Sequence, residues 1–202
     1  MKTQKVIGLE EHFITPDFEM VKMESGGANT PQAQFAANIS KHSENLGEKR
    51  IAEMDEAGID MQIISLTAPG TQVLGVENAV EYSRKANDTL GQAIAKYPKR
   101  FAGFATLPTI LPEEAAKELQ MAVKQYGFKG AVINGHTQGR YLDDMFFDPI
   151  LAEAEQISLP IYLHPAEPVK AVKDTYYTGN FSAEVAAKFS MAGWGWHIET
   201  AV

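Results

Sequence analysis

The 202-residue chain has no cysteine, which excludes disulfides and every thiolate metal site. It has no run of the ~20 apolar residues that a membrane span needs. The opening stretch, from Met1-Lys2-Thr3-Gln4 to Glu10-Glu11-His12, is too polar for the apolar core of a secretory leader. Lysine and arginine form no cluster, and the formal net charge is −8. Nucleic acid and anionic membrane surfaces both demand a basic footprint, so neither is expected as a partner. Also missing are a glycine-rich phosphate loop, a nucleophile elbow and a His-Glu-x-x-His helix. These absences point to a soluble, cytoplasmic protein.

What the chain does have is ordinary globular composition, 45% hydrophobic and 22% charged, with length enough for one sizeable core. Five short apolar runs, at 5–9, 61–66, 101–107, 130–133 and 160–163, are mostly continuous Val, Ile, Leu, Phe and Ala. Strands buried on both faces of a parallel sheet read this way.

Helical periodicity fills the gaps between the runs. From 76 to 97, apolar residues fall at Val76, Ala79, Val80, Leu90, Ala93, Ile94 and Tyr97, opposite Glu77, Glu81, Lys85 and Asp88. Pro112, Glu113 and Glu114 suit the first turn of a helix, and Gly127 suits its end. Asp148 reads as the N-cap of a further helix through Ile150, Leu151 and Ala154. Strand alternating with helix implies right-handed βαβ crossovers in one domain spanning 1–202.

Residues 19–45, with Gly26, Gly27 and Pro31, lack a clear period and are expected to form a long loop with some helix. Residues 182–189 and 197–202 look helical. The apolar last residue, Val202, carries no stop signal, so the fold is expected to continue beyond it.

Glu10 and His12 lie two apart at the end of the first apolar run, so in a strand both face one side while Glu11 faces the other. A carboxylate and an imidazole on one face make half of a mixed N/O metal site. Taken alone, a Glu-x-His at a strand end is more often just polar. His164 changes the weighing: it follows Pro160-Ile161-Tyr162-Leu163, at the end of the fifth run. Two such strand ends meet at one rim when parallel strands close on themselves, and catalytic metals in such barrels sit at that rim.

Other histidines carry less. His136, in Asn134-Gly135-His136-Thr137, is near the same rim and suits substrate contact or solvent equally. His42 reads as solvated. His197 reads as packing beside Trp194-Gly195-Trp196, a pair that suits either core or the wall of an aromatic pocket.

At these residues the chain resembles the amidohydrolase-related decarboxylases of aromatic acids, a group that includes γ-resorcylate, 2,3-dihydroxybenzoate and 5-carboxyvanillate decarboxylases. The likeness begins at Leu9-Glu10-Glu11-His12-Phe13. It continues through Arg50-Ile51-Ala52-Glu53-Met54-Asp55, Ser65-Leu66-Thr67-Ala68-Pro69-Gly70 and Pro98-Lys99-Arg100-Phe101. It ends with Asn134-Gly135-His136-Thr137, Tyr141-Leu142-Asp143-Asp144, Tyr162-Leu163-His164-Pro165 and Gly193-Trp194-Gly195-Trp196.

The resemblance implies an α/β fold, a metal-dependent (β/α)8 TIM barrel cut short here after about five strands. It implies one divalent ion, Zn²⁺ or Mn²⁺, held by Glu10, His12 and His164. Asn134 and His136 become candidates for contact with a small aromatic acid, and a homo-oligomer is expected. The reaction implied is non-oxidative loss of CO₂ from a hydroxylated aromatic acid. Its catalytic His, in a His-Met-Gly-Glu stretch, and its late-strand Asp do not occur in the 202 residues; both are expected beyond Val202, and full activity is expected to need them. A metal-dependent hydrolase of lactones or related carbonyl compounds, and an inactive fragment, remain alternatives.

Overall fold

The computed structural model describes residues 4–15, 43–166 and 168–176. In chain order its elements are β1 (Ile7–Phe13), α1 (Glu48–Ala57), β2 (Met61–Leu66), α2 (Val76–Lys96), β3 (Phe101–Gly103), β4 (Ala105–Thr106) and α3 (Pro112–Tyr126). Then come β5 (Ala131–Asn134), a 3₁₀ turn (Met145–Phe147), α4 (Asp148–Gln156), β6 (Ile161–His164) and α5 (Lys170–Tyr176). Residues 19–42 of the loop expected at 19–45, and the helices expected at 182–189 and 197–202, lie outside the described residues, as do His42, Trp194, Trp196 and His197.

All named strands pair in parallel, in the orders β1-β2-β3 and β4-β5-β6. The single strand expected at 101–107 is broken at Phe104. Its first half registers with β2, Phe101 opposite Gln62, and its second half with β5, Ala105 opposite Ala131. Phe104 N still donates to Ile64 O at 3.0 Å, while Lys129 N donates to Gly103 O and Ala105 N to Gly130 O, both at 2.8 Å. One segment therefore ties both sheets together. The break falls beside Gly103, where a Cβ would lie 2.8 Å from Leu90 Cδ2 and 3.0 Å from Ile94 Cδ1. Helix α2 presses on the strand at that point.

Helix α2 is also stitched to β4 by one side chain. Buried Asn87 donates from Nδ2 to Thr106 O at 2.9 Å and accepts from Thr106 N at 2.8 Å. Its Nδ2 also donates to Glu118 Oε1 of α3 at 2.8 Å. Burial raises the Glu118 carboxyl above its ordinary range, against the hydrogen bonds from Asn87 and Arg84. The core beneath joins Phe13, Ile64, Leu90, Phe101, Leu107, Leu119, Phe128 and Ile150. Each such side chain contributes on the order of 1.5–3 kcal/mol when fully buried.

Two helix ends follow the sequence and one does not. Helix α3 has a proline in its first turn and Gly127 as a left-handed cap at φ 69°. Asp148, expected as an N-cap, already has helical angles of φ −48° and ψ −40°. The capping is done by Asp144, which accepts from Phe146 N at the head of the 3₁₀ turn that leads into α4. Helices α1 and α5 add elements that the periodicity did not announce.

Candidate metal centre

Strand β1 extends further than the apolar run, through Glu10, Glu11 and His12 to Phe13. The polar residues stay in the strand because each finds a partner on a neighbouring element. Glu11 turns to one face, where its Oε2 accepts from Gln62 Nε2 at 2.8 Å and lies 3.6 Å from Arg50 Nη2. Arg50 donates from Nε to Gln62 Oε1 at 2.7 Å and from Nη1 to the His12 carbonyl at 2.9 Å. Burial draws this guanidinium below its ordinary pKa, with Glu11 and Glu53 opposing.

Glu10 and His12 turn to the opposite face. His12 lies opposite Ser65 in the β1–β2 register, and its Nδ1 is 3.0 Å from Ser65 Oγ. His164 ends β6 opposite Asn134. Glu10 Oε2 lies 3.6 Å from His12 Nε2 and 3.5 Å from His164 Nε2. The two imidazoles meet edge to face, with centroids 4.8 Å apart. Tyr162, two residues before His164, donates its hydroxyl to the other carboxylate oxygen, Glu10 Oε1.

This approach measures the curvature of the strands. Four inter-strand steps separate β1 from β6, and at the usual spacing a flat sheet would hold them roughly 19 Å apart. Contact between their side chains requires the strands to curl toward each other at this end.

One ligand atom from each of Glu10, His12 and His164 fits within a 4.8 Å cluster. A divalent ion about 2.1 Å from tetrahedrally placed N and O donors would set them roughly 3.4 Å apart, close to the two distances from Glu10 Oε2. The donor set and its spacing fit such an ion.

The electrostatics agree. Burial lowers the His12 pKa, with the nearby His164 and Arg50 adding to the shift and Glu10 opposing it. Burial likewise lowers His164, against Glu10 and the Pro165 backbone. Both rings are therefore held neutral at pH 7, the form in which imidazole is a ligand. The tautomer that donates Nδ1–H to Ser65 Oγ leaves the Nε2 lone pair facing Glu10 and His164.

Asn134 is 3% exposed and gripped by Gln72. Asn134 N and Nδ2 donate to Gln72 Oε1 at 2.8 and 3.0 Å, and Gln72 Nε2 donates to Asn134 O at 3.2 Å. Its Oδ1 has no hydrogen-bond partner. His136 belongs to the following turn: its Nδ1 accepts from Gly139 N at 3.1 Å, and its ring meets Tyr141 edge-on at 5.8 Å. It is not part of the three-residue cluster.

Sequence reading missed Ser65, Tyr162, Arg50 and Gln72. Two of them carried a signal. Ser65 is a polar residue near the end of the second apolar run, and Tyr162 shares the strand face of His164 by its spacing of two.

An amidohydrolase family model matches residues 19–197. The chain belongs to the amidohydrolase family. Its relatives include a γ-resorcylate decarboxylase of a Polaromonas species, 38% identical over 170 residues, covering 81% of this chain and 51% of that protein. A 5-carboxyvanillate decarboxylase from Novosphingobium aromaticivorans, solved with manganese and 4-hydroxy-3-methoxy-5-nitrobenzoic acid, superposes with a TM-score of 0.83. It is 33% identical, over 98% of this chain and 59% of that one. A dihydroxybenzoic acid decarboxylase from Polaromonas, solved with manganese and 2-nitroresorcinol, gives a TM-score of 0.73 at 35% identity, over 86% and 53% of the two chains. These relatives lie on the aromatic-acid decarboxylase branch of the family. This amidohydrolase chain spans about half the length of the curated relatives it matches. Among its described residues no helix is long and apolar enough to cross a membrane.

Proposed function

We propose that this chain supplies the metal-binding part of a non-oxidative decarboxylase acting on a hydroxylated aromatic acid, with Glu10, His12 and His164 as ligands of one divalent ion, Mn²⁺ or Zn²⁺. The six strands would form the first portion of a (β/α)8 barrel, the site lying at its C-terminal rim. The observation that carries the reading is the convergence of one carboxylate and two neutral imidazoles from β1 and β6 into a 4.8 Å cluster.

When bound, such an ion would act as a Lewis acid and template for the phenolic oxygen and carboxylate of the acid. The chain's own residues do the rest of the positioning. Ser65 orients the His12 ring, Arg50 holds the His12 backbone, and Gln72 fixes Asn134. The unpartnered Asn134 Oδ1 is suited to accept a hydrogen bond from a substrate hydroxyl. No His-Met-Gly-Glu stretch occurs in the sequence, and none of these positioning residues is assigned the delivery of the proton to the ring carbon.

Manganese or zinc binding by the purified protein, followed by CO₂ release from dihydroxybenzoates, tests the reading. Stoichiometric metal that is lost on changing Glu10 or His164 to Ala supports the centre. Uptake of water by a lactone without CO₂ release would replace the decarboxylase with a hydrolase. Absence of metal binding would remove the centre altogether.

A further inference from the structure

Resting on that metal-centre reading, we infer that Tyr162 is a positioning residue, which fixes the Glu10 carboxylate so that a single oxygen is offered to the ion. The Glu10 side chain is 54% exposed, and a free glutamate at such a site would sample many rotamers, losing order on binding. Two contacts remove that freedom. The Tyr162 hydroxyl donates to Oε1, and the tyrosine ring is itself held, stacked on Phe104 at 5.4 Å with the planes 15° apart. The remaining oxygen, Oε2, is then the one 3.5 and 3.6 Å from the two imidazole Nε2 atoms.

The division of labour within the carboxylate is chemical as well as geometric. A hydrogen bond to one oxygen leaves the charge available at the other and disfavours bidentate binding, which would crowd a site that must keep positions for substrate. Tyrosine suits the task because a phenol remains protonated at neutral pH and so keeps its O–H as a donor. The placement follows from strand periodicity. Tyr162 and His164 are two apart on β6, as Glu10 and His12 are on β1, so each strand contributes two polar groups to the shared face.

Tyr162→Phe keeps the ring and its stack and removes the donor. Manganese titration of the whole chain, followed by the EPR signal of free Mn²⁺, reads the effect directly. The expected result is a Kd raised about 10–100-fold. The melting midpoint in EDTA should move by no more than about 4 °C, the scale of one partly exposed hydrogen bond. In a Glu10→Ala background the same change should have no further effect. Equal affinity in wild type and Tyr162→Phe would overturn the inference while leaving the centre intact. So would loss of the melting transition in EDTA, which would make the hydroxyl a folding element. A wild-type chain that takes up no manganese would instead overturn the centre, and the inference with it.

Discussion

Replacing Arg50 by methionine tests whether the fold and the candidate centre depend on one network. Arg50 is 8% exposed; methionine keeps an unbranched apolar stem and removes the guanidinium. Three acceptors lose their donor: the His12 carbonyl at 2.9 Å, Gln62 Oε1 at 2.7 Å and, more weakly, Glu11 at 3.6 Å. A buried acceptor left unsatisfied costs about 1–3 kcal/mol. Glu11 keeps Gln62 as a donor and is partly solvated, so its contribution is small. The sum is about 3 kcal/mol. For a chain of this size that is a fall of roughly 6–12 °C in the melting midpoint. Because one of the lost bonds holds the peptide carbonyl of His12, manganese affinity should fall as well, on the order of tenfold. Thermal melts in EDTA and a manganese titration give both numbers. A midpoint within about 2 °C of wild type, with unchanged affinity, would refute the idea that this network holds β1 in place.

Ser65→Ala leaves the fold alone but frees the His12 ring, and should weaken manganese binding about tenfold; an unchanged titration curve would dismiss the tautomer argument. Asn87→Ala strips both backbone partners from Thr106 and one donor from buried Glu118. It should cost about 3 kcal/mol in urea unfolding, and a loss below about 1 kcal/mol would show that the bracket is dispensable. The lowered pKa values of His12 and His164 fix a sign for the metal-free protein. Below pH 6.5 the unfolded chain takes up protons at these rings that the folded chain refuses, so stability falls from there until the lowered folded values are passed, and is flat above. Urea midpoints across pH 5.5–8 should show this slope flattened in His164→Gln; a slope identical to wild type would contradict the assignment.

The sequence announced what depends on short-range pattern. The 76–97 period matches α2 to within one residue, the helix ending at Lys96, Pro112 and Gly127 bracket α3, and the spacing of Glu10 and His12 put both on one face. It was silent where register decides. Arg50 sits in an acidic helix and reads as a surface charge. It is buried because its side chain reaches the His12 carbonyl of β1 and Gln62 of β2, a fact of tertiary placement. Strand β1 runs on through three polar residues because Tyr162 meets Glu10, Gln62 and Arg50 meet Glu11, and Ser65 meets His12, all from neighbouring elements. The interruption at Phe104 likewise has no local cause. The residue is an ordinary strand former, and the hydrogen bonding shifts from β2 to β5 because the strands curl and α2 presses at Gly103. Asp144 and Asp148 are chemically alike, and the intervening 3₁₀ turn selects the earlier one.

That curling ties the candidate centre to packing far from it. Glu10 and His12 stand on β1 and His164 on β6, so their meeting depends on every strand step between them. Those steps are set by how closely the outer helices approach the strands and one another. At Gly91 a Cβ would lie 2.3 Å from Tyr126 Cδ1 on α3, and at Gly103 one would press on Leu90 and Ile94 of α2. Any bulk added there must push a helix or a ring outward, and interiors packed as densely as crystals pass such displacements on. A shift of a few tenths of an ångström at each of four steps accumulates to about an ångström at the centre, comparable with the tolerance of a metal–ligand bond. The glycines under the helices therefore belong to the site as much as the side chains that line it.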